Sequence, residues 1–147
     1  FGISTSIGVT IDHDFSNESE GEIVFEGERL DKRHPIVAGK RSVTKVASYG
    51  GSALSGDGYT NIMQLSDHSM NISRNWMGVE GGPLGRGNSQ GLAGFYGDGR
   101  IAAFGDSNGF AAMIFEDNIS KDFVGMNDEA YDWRNLVLNT FDWLSGS

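Results

Sequence analysis

The sequence predicts a single α/β domain, and three observations in its C-terminal third carry that expectation. Residues 100–104, ending Ile101-Ala102-Ala103-Phe104, form a short apolar run of the kind buried on both faces of a sheet. Gly105-Asp106-Ser107-Asn108-Gly109 ends that run with turn formers. Trp133, Leu136, Val137, Thr140, Phe141 and Leu144 then recur at three- and four-residue spacing, the apolar stripe of an amphipathic helix.

The remaining elements follow in chain order. Ile3, Ile7, Val9 and Ile11 alternate and predict a half-buried strand. Residues 12–21 are polar and acidic, a surface loop, and residues 22–25 suit a short strand. Arg33-His34-Pro35-Ile36 interrupts regular structure, because the residue before a proline avoids helical backbone. Residues 43–49, 61–65 and 92–96 predict strands. The glycine-rich stretches 50–58 and 78–99 predict turn-rich connections, and Asp98-Gly99 a turn. Residues 110–115 suit a short helix. Asp128 and Glu129 suit the first turn of the C-terminal helix, where the dipole favours negative charge, and Gly146 suits its stop.

Length and composition narrow the function classes. The 147 residues are enough for one core, and 38% hydrophobic residues argue for a packed domain. A net charge of −9 argues against a surface that tracks nucleic-acid phosphates. No apolar run reaches the length of a membrane span. There is no cysteine, which removes disulfides, zinc–thiolate sites and a cysteine nucleophile. The chain opens on Phe1 without a leader pattern, so a processed product or a piece of a longer chain is expected. The compartment is left open, with an extracytoplasmic or secreted setting favoured.

Gly99-Arg100-Ile101-Ala102-Ala103-Phe104-Gly105-Asp106-Ser107-Asn108, with Asn135-Leu136-Val137-Leu138-Asn139 and Trp143-Leu144, resembles the end of the class I glutamine-amidotransferase-like superfamily. The narrower resemblance is to its trehalose-utilisation-like and gliding-motility-like branch. His34-Pro35-Ile36-Val37-Ala38-Gly39 fits a stretch common there, and a domain C-terminal to some subtilisin-like proteases is similar. The resemblance implies a flavodoxin-like, mixed or mostly parallel sheet with flanking helices. It also implies that residues 1–147 are a shortened version or the C-terminal half of such a domain. An amidotransferase needs a cysteine on a strand-to-helix elbow and a downstream histidine. This chain lacks the cysteine, and its last histidine is His68, so the resemblance implies a non-catalytic member.

Several residues carry possible chemistry. Ser107 follows a strand, as a hydrolase nucleophile does, with Asp106 beside it and Asn127 in a block like the one that supports an esterase oxyanion. No histidine follows Ser107, and a serine without a base is a poor nucleophile. Turn-holding hydrogen bonds from Asp106, Ser107 and Asn108 are the expected role, with ligand contact as the alternative. Ser89 lies in a G-x-S-x-G match without an apolar strand before it and is expected in a loop. His34 is a further binding candidate, and Asp67-His68 a thinner one. Asp12, Asp14 and Glu18 are calcium-ligand candidates within an acidic loop, without the spacing of a known calcium loop, and Asp117, Asp122, Asp128 and Glu129 are a second such set. Among the tryptophans, Trp76 is the candidate for stacking on a sugar, whereas Trp133 suits the core. Asn17, Asn71 and Asn118 stand in N-x-S sequons.

The expected function is a non-catalytic domain that binds a protein partner or a carbohydrate, without a required cofactor. The alternatives are a serine hydrolase built on Ser107 and a calcium-stabilised module. A shortened sheet exposes an edge, so a second polypeptide is expected to cover it, either a cleaved N-terminal part, the parent chain or another copy.

Overall fold

The computed structural model describes residues 1–6, 8–12, 22–75, 78–83 and 88–146, with only the backbone path for 73–75 and 78–83. In chain order its strands begin with β1 (Ile3–Thr5), β2 (Val9–Asp12) and β3 (Glu22–Glu26). A four-residue helix, α1 (Pro35–Ala38), follows. Then come β4 (Lys45–Tyr49), β5 (Leu54–Gly56), β6 (Thr60–Gln64), β7 (Ser69–Asn75) and β8 (Gly78–Pro83). The last part holds β9 (Ser89–Tyr96), β10 (Gly99–Phe104), β11 (Ala112–Glu116), β12 (Lys121–Gly125) and α2 (Trp133–Ser145).

Every strand pair is antiparallel, which overturns the α/β, mostly parallel, flavodoxin-like expectation and the amidotransferase-like architecture with it. A curled sheet runs β1-β5-β9-β10, with β6 also paired to β9. Smaller ladders are β3-β4, β2-β7-β8 and β11-β12. The physical reason lies in the connections. Parallel strands need a crossover of a dozen or more residues, usually a helix. Here residues 100–104 belong to a strand that returns on β9 through the two-residue turn Gly97-Asp98 and sits at the sheet edge. Its side chains are half-buried, not enclosed on both faces.

The C-terminal helix forms as its spacing predicts. Its buried residues are Trp133, Leu136, Val137, Asn139, Thr140 and Trp143, whereas Phe141 and Leu144, counted in the predicted stripe, face solvent. The helix ends at Gly146, whose φ of 79° is left-handed backbone that favours glycine. It begins at Trp133 with Asp132 before it, so Asp128 and Glu129 precede its first turn. Asp132 instead ties the helix to β4. Its carboxylate accepts from Thr44 N–H and Oγ1, both at 2.7 Å, and its own N–H donates to the Lys45 carbonyl at 2.7 Å.

The core lies between α2, α1 and the strands. Trp133, Leu136 and Val137 meet Ile36 and Val37 of α1, Ile23 and Phe25 of β3, Val46 of β4, and Ile62 and Met63 of β6. Trp133 donates its indole N–H to the Ala47 carbonyl at 2.7 Å, which satisfies the one polar atom of the largest buried side chain. Asn139 is fully buried and replaces missing backbone pairings at the end of α1. Its amide nitrogen donates to the Ile36 and Arg41 carbonyls, and its oxygen accepts from Arg41 N–H.

Other expectations change in detail. The Ile3–Ile11 alternation serves two strands, β1 and β2, with Ile7 outside the described residues. Residues 78–99, expected as a turn-rich connection apart from a strand at 92–96, hold β8 and all of β9. Residues 110–115, expected as a helix, are the end of a 3-10 turn (Asn108–Phe110) followed by β11.

Candidate functional site

The Gly105–Gly109 turn is the first place to look, because it holds the suspected nucleophile. Asp106 is buried, and its carboxylate is fully engaged. One oxygen accepts from Ser48 Oγ at 2.9 Å and Tyr49 N–H at 2.5 Å, and the other accepts from Asn108 N–H at 2.8 Å. Asn108 donates its side-chain amide to the Tyr49 carbonyl at 3.0 Å. The turn therefore clamps the end of β4. Beneath it, Gly109 lies against the Trp133 ring so closely that a Cβ would come within 2.2 Å of ring carbons. Ser107 points outward, and its hydroxyl makes no hydrogen bond to a histidine or to Asn127 among the described residues. The turn is a structural corner in this geometry.

Behind it sits Gln90, 1% exposed, with neither amide atom hydrogen-bonded among the described residues. Its nitrogen, Ser48 Oγ and Asp106 Cβ converge on Gly51, within 3.0 Å of where a Cβ would stand.

The other candidates fall in separate places. His34 accepts from Ile36 N–H through Nδ1 at 3.2 Å, capping α1, and packs edge-on against Trp143 with ring centroids 5.0 Å apart. Burial lowers its pKa, opposed by the Asp31 charge. Asp12 spends its carboxylate on Arg29 at 2.8 Å and on Ser66 and Ser69. Burial raises its pKa, but those hydrogen bonds and the Arg29 charge outweigh it and hold it below the ordinary value. Asp14, Glu18, Trp76 and Asn17 lie outside the described residues. No group of three or more metal-ligating side chains occurs among the described residues. Ser89, expected in a loop, is buried within β9, where its hydroxyl donates to the Gly91 carbonyl at 2.8 Å. Asn71 lies in β7 and accepts from Thr10 Oγ1, and Asn118 is exposed. Trp133 and Trp143 are both buried in the core cluster and offer no stacking face.

What sequence reasoning missed is the hairpin β11–β12. Ala112-Met113-Ile114-Phe115 is apolar without alternation, the composition of a strand covered on both faces. Yet Met113, Ile114, Phe115 and Phe123 are all exposed, Phe115 at 56%, and Ile119 at the tip reaches 96%. The register places Ile114 opposite Phe123 on one face and Met113 opposite Val124 on the other. The two strands pair only with each other, so both outer backbone edges are free of strand partners among the described residues. The tip is locked. Asp117 accepts from the N–H groups of Ile119 and Ser120, both at 2.7 Å, and Lys121 meets Glu116 at 3.1 Å. The base is locked too, by Met126 N–H to the Ala111 carbonyl at 2.7 Å. The signal was present: two β-prone runs flank the turn formers Asp117-Asn118.

One face of this hairpin walls a groove of about 310 Å³. Ile114, Phe123 and Met126 line its apolar side, and Asp128, Glu129 and Arg134 its charged rim. Tyr131, at the same groove, donates to Glu22 and stacks edge-on with Tyr49 at 6.5 Å. Burial and the Glu22 charge push the Tyr49 phenol up to about 12, and Tyr131 rises likewise through burial and its bond to Glu22. Both phenols therefore favour the protonated, hydrogen-bonding form near neutrality.

No family model, curated protein or solved structure matches the chain. No helix among the described residues is long and apolar enough to cross a membrane.

Proposed function

We propose that the chain is a non-catalytic binding module whose ligand is another polypeptide, taken up at the β11–β12 hairpin and its groove. One observation carries this: a strand with the apolar composition of a covered strand stands exposed on both faces. Exposed contiguous apolar surface of this kind marks interaction sites in soluble domains. The free edges of a two-stranded sheet add backbone donors and acceptors that a partner strand satisfies. Trp133 and Trp143 are inside and Trp76, the candidate for sugar stacking, lies outside the described residues, so no observation favours the carbohydrate alternative.

The test is site-specific photo-crosslinking. A benzophenone side chain at position 114, in the protein made in its source cell, is expected to capture one defined polypeptide. Phe115→Asp with Phe123→Asp is expected to abolish the capture. No capture from positions 114 and 123 sinks the proposal. A fluorophosphonate probe is expected to leave Ser107 unlabelled, and labelling there would restore the hydrolase alternative.

A further inference from the structure

We infer that the polypeptide seated in this groove is an extended, cationic segment, with Lys or Arg side chains on the acidic rim and apolar side chains on Ile114, Phe123 and Met126. This rests on the proposed function above and narrows the partner's chemistry.

Three observations point the same way. The first is charge. The groove is lined by Asp128, Glu129 and Asp132 against Arg134, with the Lys45 ammonium 5.4 Å from the Tyr131 ring, and the hairpin beside it adds Glu116, Asp117 and Asp122 against Lys121. Lys121 is already spent on Glu116. Asp128 uses one oxygen on the Ala130 N–H at 2.9 Å, and Glu129 is exposed. An acidic rim around an apolar floor complements a basic, partly apolar ligand, and charge pattern sets partner choice more than raw affinity.

The second is the whole-chain charge of −9. Two copies meeting at this rim would bring like charges together, which selects against self-association. The third is shape. The wall is a two-stranded sheet whose edges have no strand partner among the described residues, and an extended segment added to such an edge carries its alternate side chains on the Ile114–Phe123 face. A helix would leave those backbone groups unpaired.

The experiment is an NMR titration of the intact chain with two capped octapeptides, one alternating Lys and Val, the other Glu and Val. The Lys–Val peptide is expected to shift the amide resonances of residues 112–116, 121–125 and 128–129. Its affinity should fall about tenfold in the double variant Asp128→Asn, Glu129→Gln, and fall again with added salt. The glutamine and asparagine keep size and hydrogen bonding, and an unchanged melting temperature shows that the variant folds. The Glu–Val peptide is expected to give no shifts. Equal binding of both peptides, or shifts confined to other surfaces, overturns the inference. So does a dimer through the hairpin in sedimentation. If the Lys–Val peptide fails while position 114 still crosslinks to a partner, the partner chemistry is wrong and the polypeptide-binding function stands. If both fail, both fall.

Discussion

Asp106 shows how one side chain shapes the candidate region. It is buried, has no cationic partner among the described residues, and holds three neutral donors, from Ser48, Tyr49 and Asn108. Asp106→Ala removes the acceptor of one buried and two part-buried donors. The expected loss is about 2–4 kcal/mol, measured by denaturant unfolding. A loss below about 1 kcal/mol would show that the turn is held by something else. Gln90 predicts the opposite sign. Its amide is buried with no partner among the described residues, and an unmet buried group costs about 1–3 kcal/mol. Gln90→Met keeps the volume, removes the amide, and is expected to raise the melting temperature. A lower melting temperature would mean that an ordered water or another group satisfies Gln90. The packing of Gly109 on Trp133 makes a third point: only a residue without a Cβ lets that turn sit on the indole.

Two elements of similar composition have different fates. The α2 stripe is buried where it meets α1 and the strands, and is exposed at Phe141 and Leu144. In the β11–β12 hairpin the apolar run 112–115 is wholly exposed. Since it contributes little to the core, substitution there should barely affect stability. The double variant Ile114→Thr, Phe115→Lys places the lysine opposite Asp122 and is expected to change unfolding free energy by less than about 1 kcal/mol. It should also reduce aggregation at high concentration, seen by light scattering. A drop of more than about 2 kcal/mol would show that the hairpin is packed and not available to a partner.

For the whole molecule, pH is the global variable. Asp12, Asp31, Asp117, Asp132 and Asp142 all have pKa values below the ordinary carboxylate value, because hydrogen bonds or neighbouring cations favour the charged form. A lowered carboxylate adds stability that is present above its unfolded value and is lost as pH falls toward the folded one. That loss belongs below about 3.8. His34 is lowered too, by burial, so its neutral form is the one the fold prefers. Its contribution is full above about 6.5 and is lost as pH falls below that value. Protonation also turns the Nδ1 acceptor that caps α1 into a donor. Acid unfolding is therefore expected in two steps, followed by melting temperature against pH. His34→Asn keeps a capping oxygen and should remove the upper step alone.

Local rules made part of this legible. The 133–144 spacing located α2, Gly146 its stop, and the apolar runs at 43–49, 61–65 and 92–96 most of three strands. The corner role expected for Asp106 and Asn108 matches their hydrogen bonds. The hairpin was missed because an apolar run of four residues has no period that separates strand from helix. Its exposure is a property of neighbours, not of the run.

What the sequence determined by itself is the set of elements whose signal is short-range: helical spacing, turn formers, the missing cysteine and the −9 charge. Only the tertiary structure decided that the strands run antiparallel, that Ser107 is exposed without a hydrogen bond to a histidine among the described residues, and that residues 112–116 stand uncovered. The physical reason is range. Propensity and periodicity act over a few residues, while strand direction, burial and the pairing of charges are settled by contacts between segments far apart in the chain.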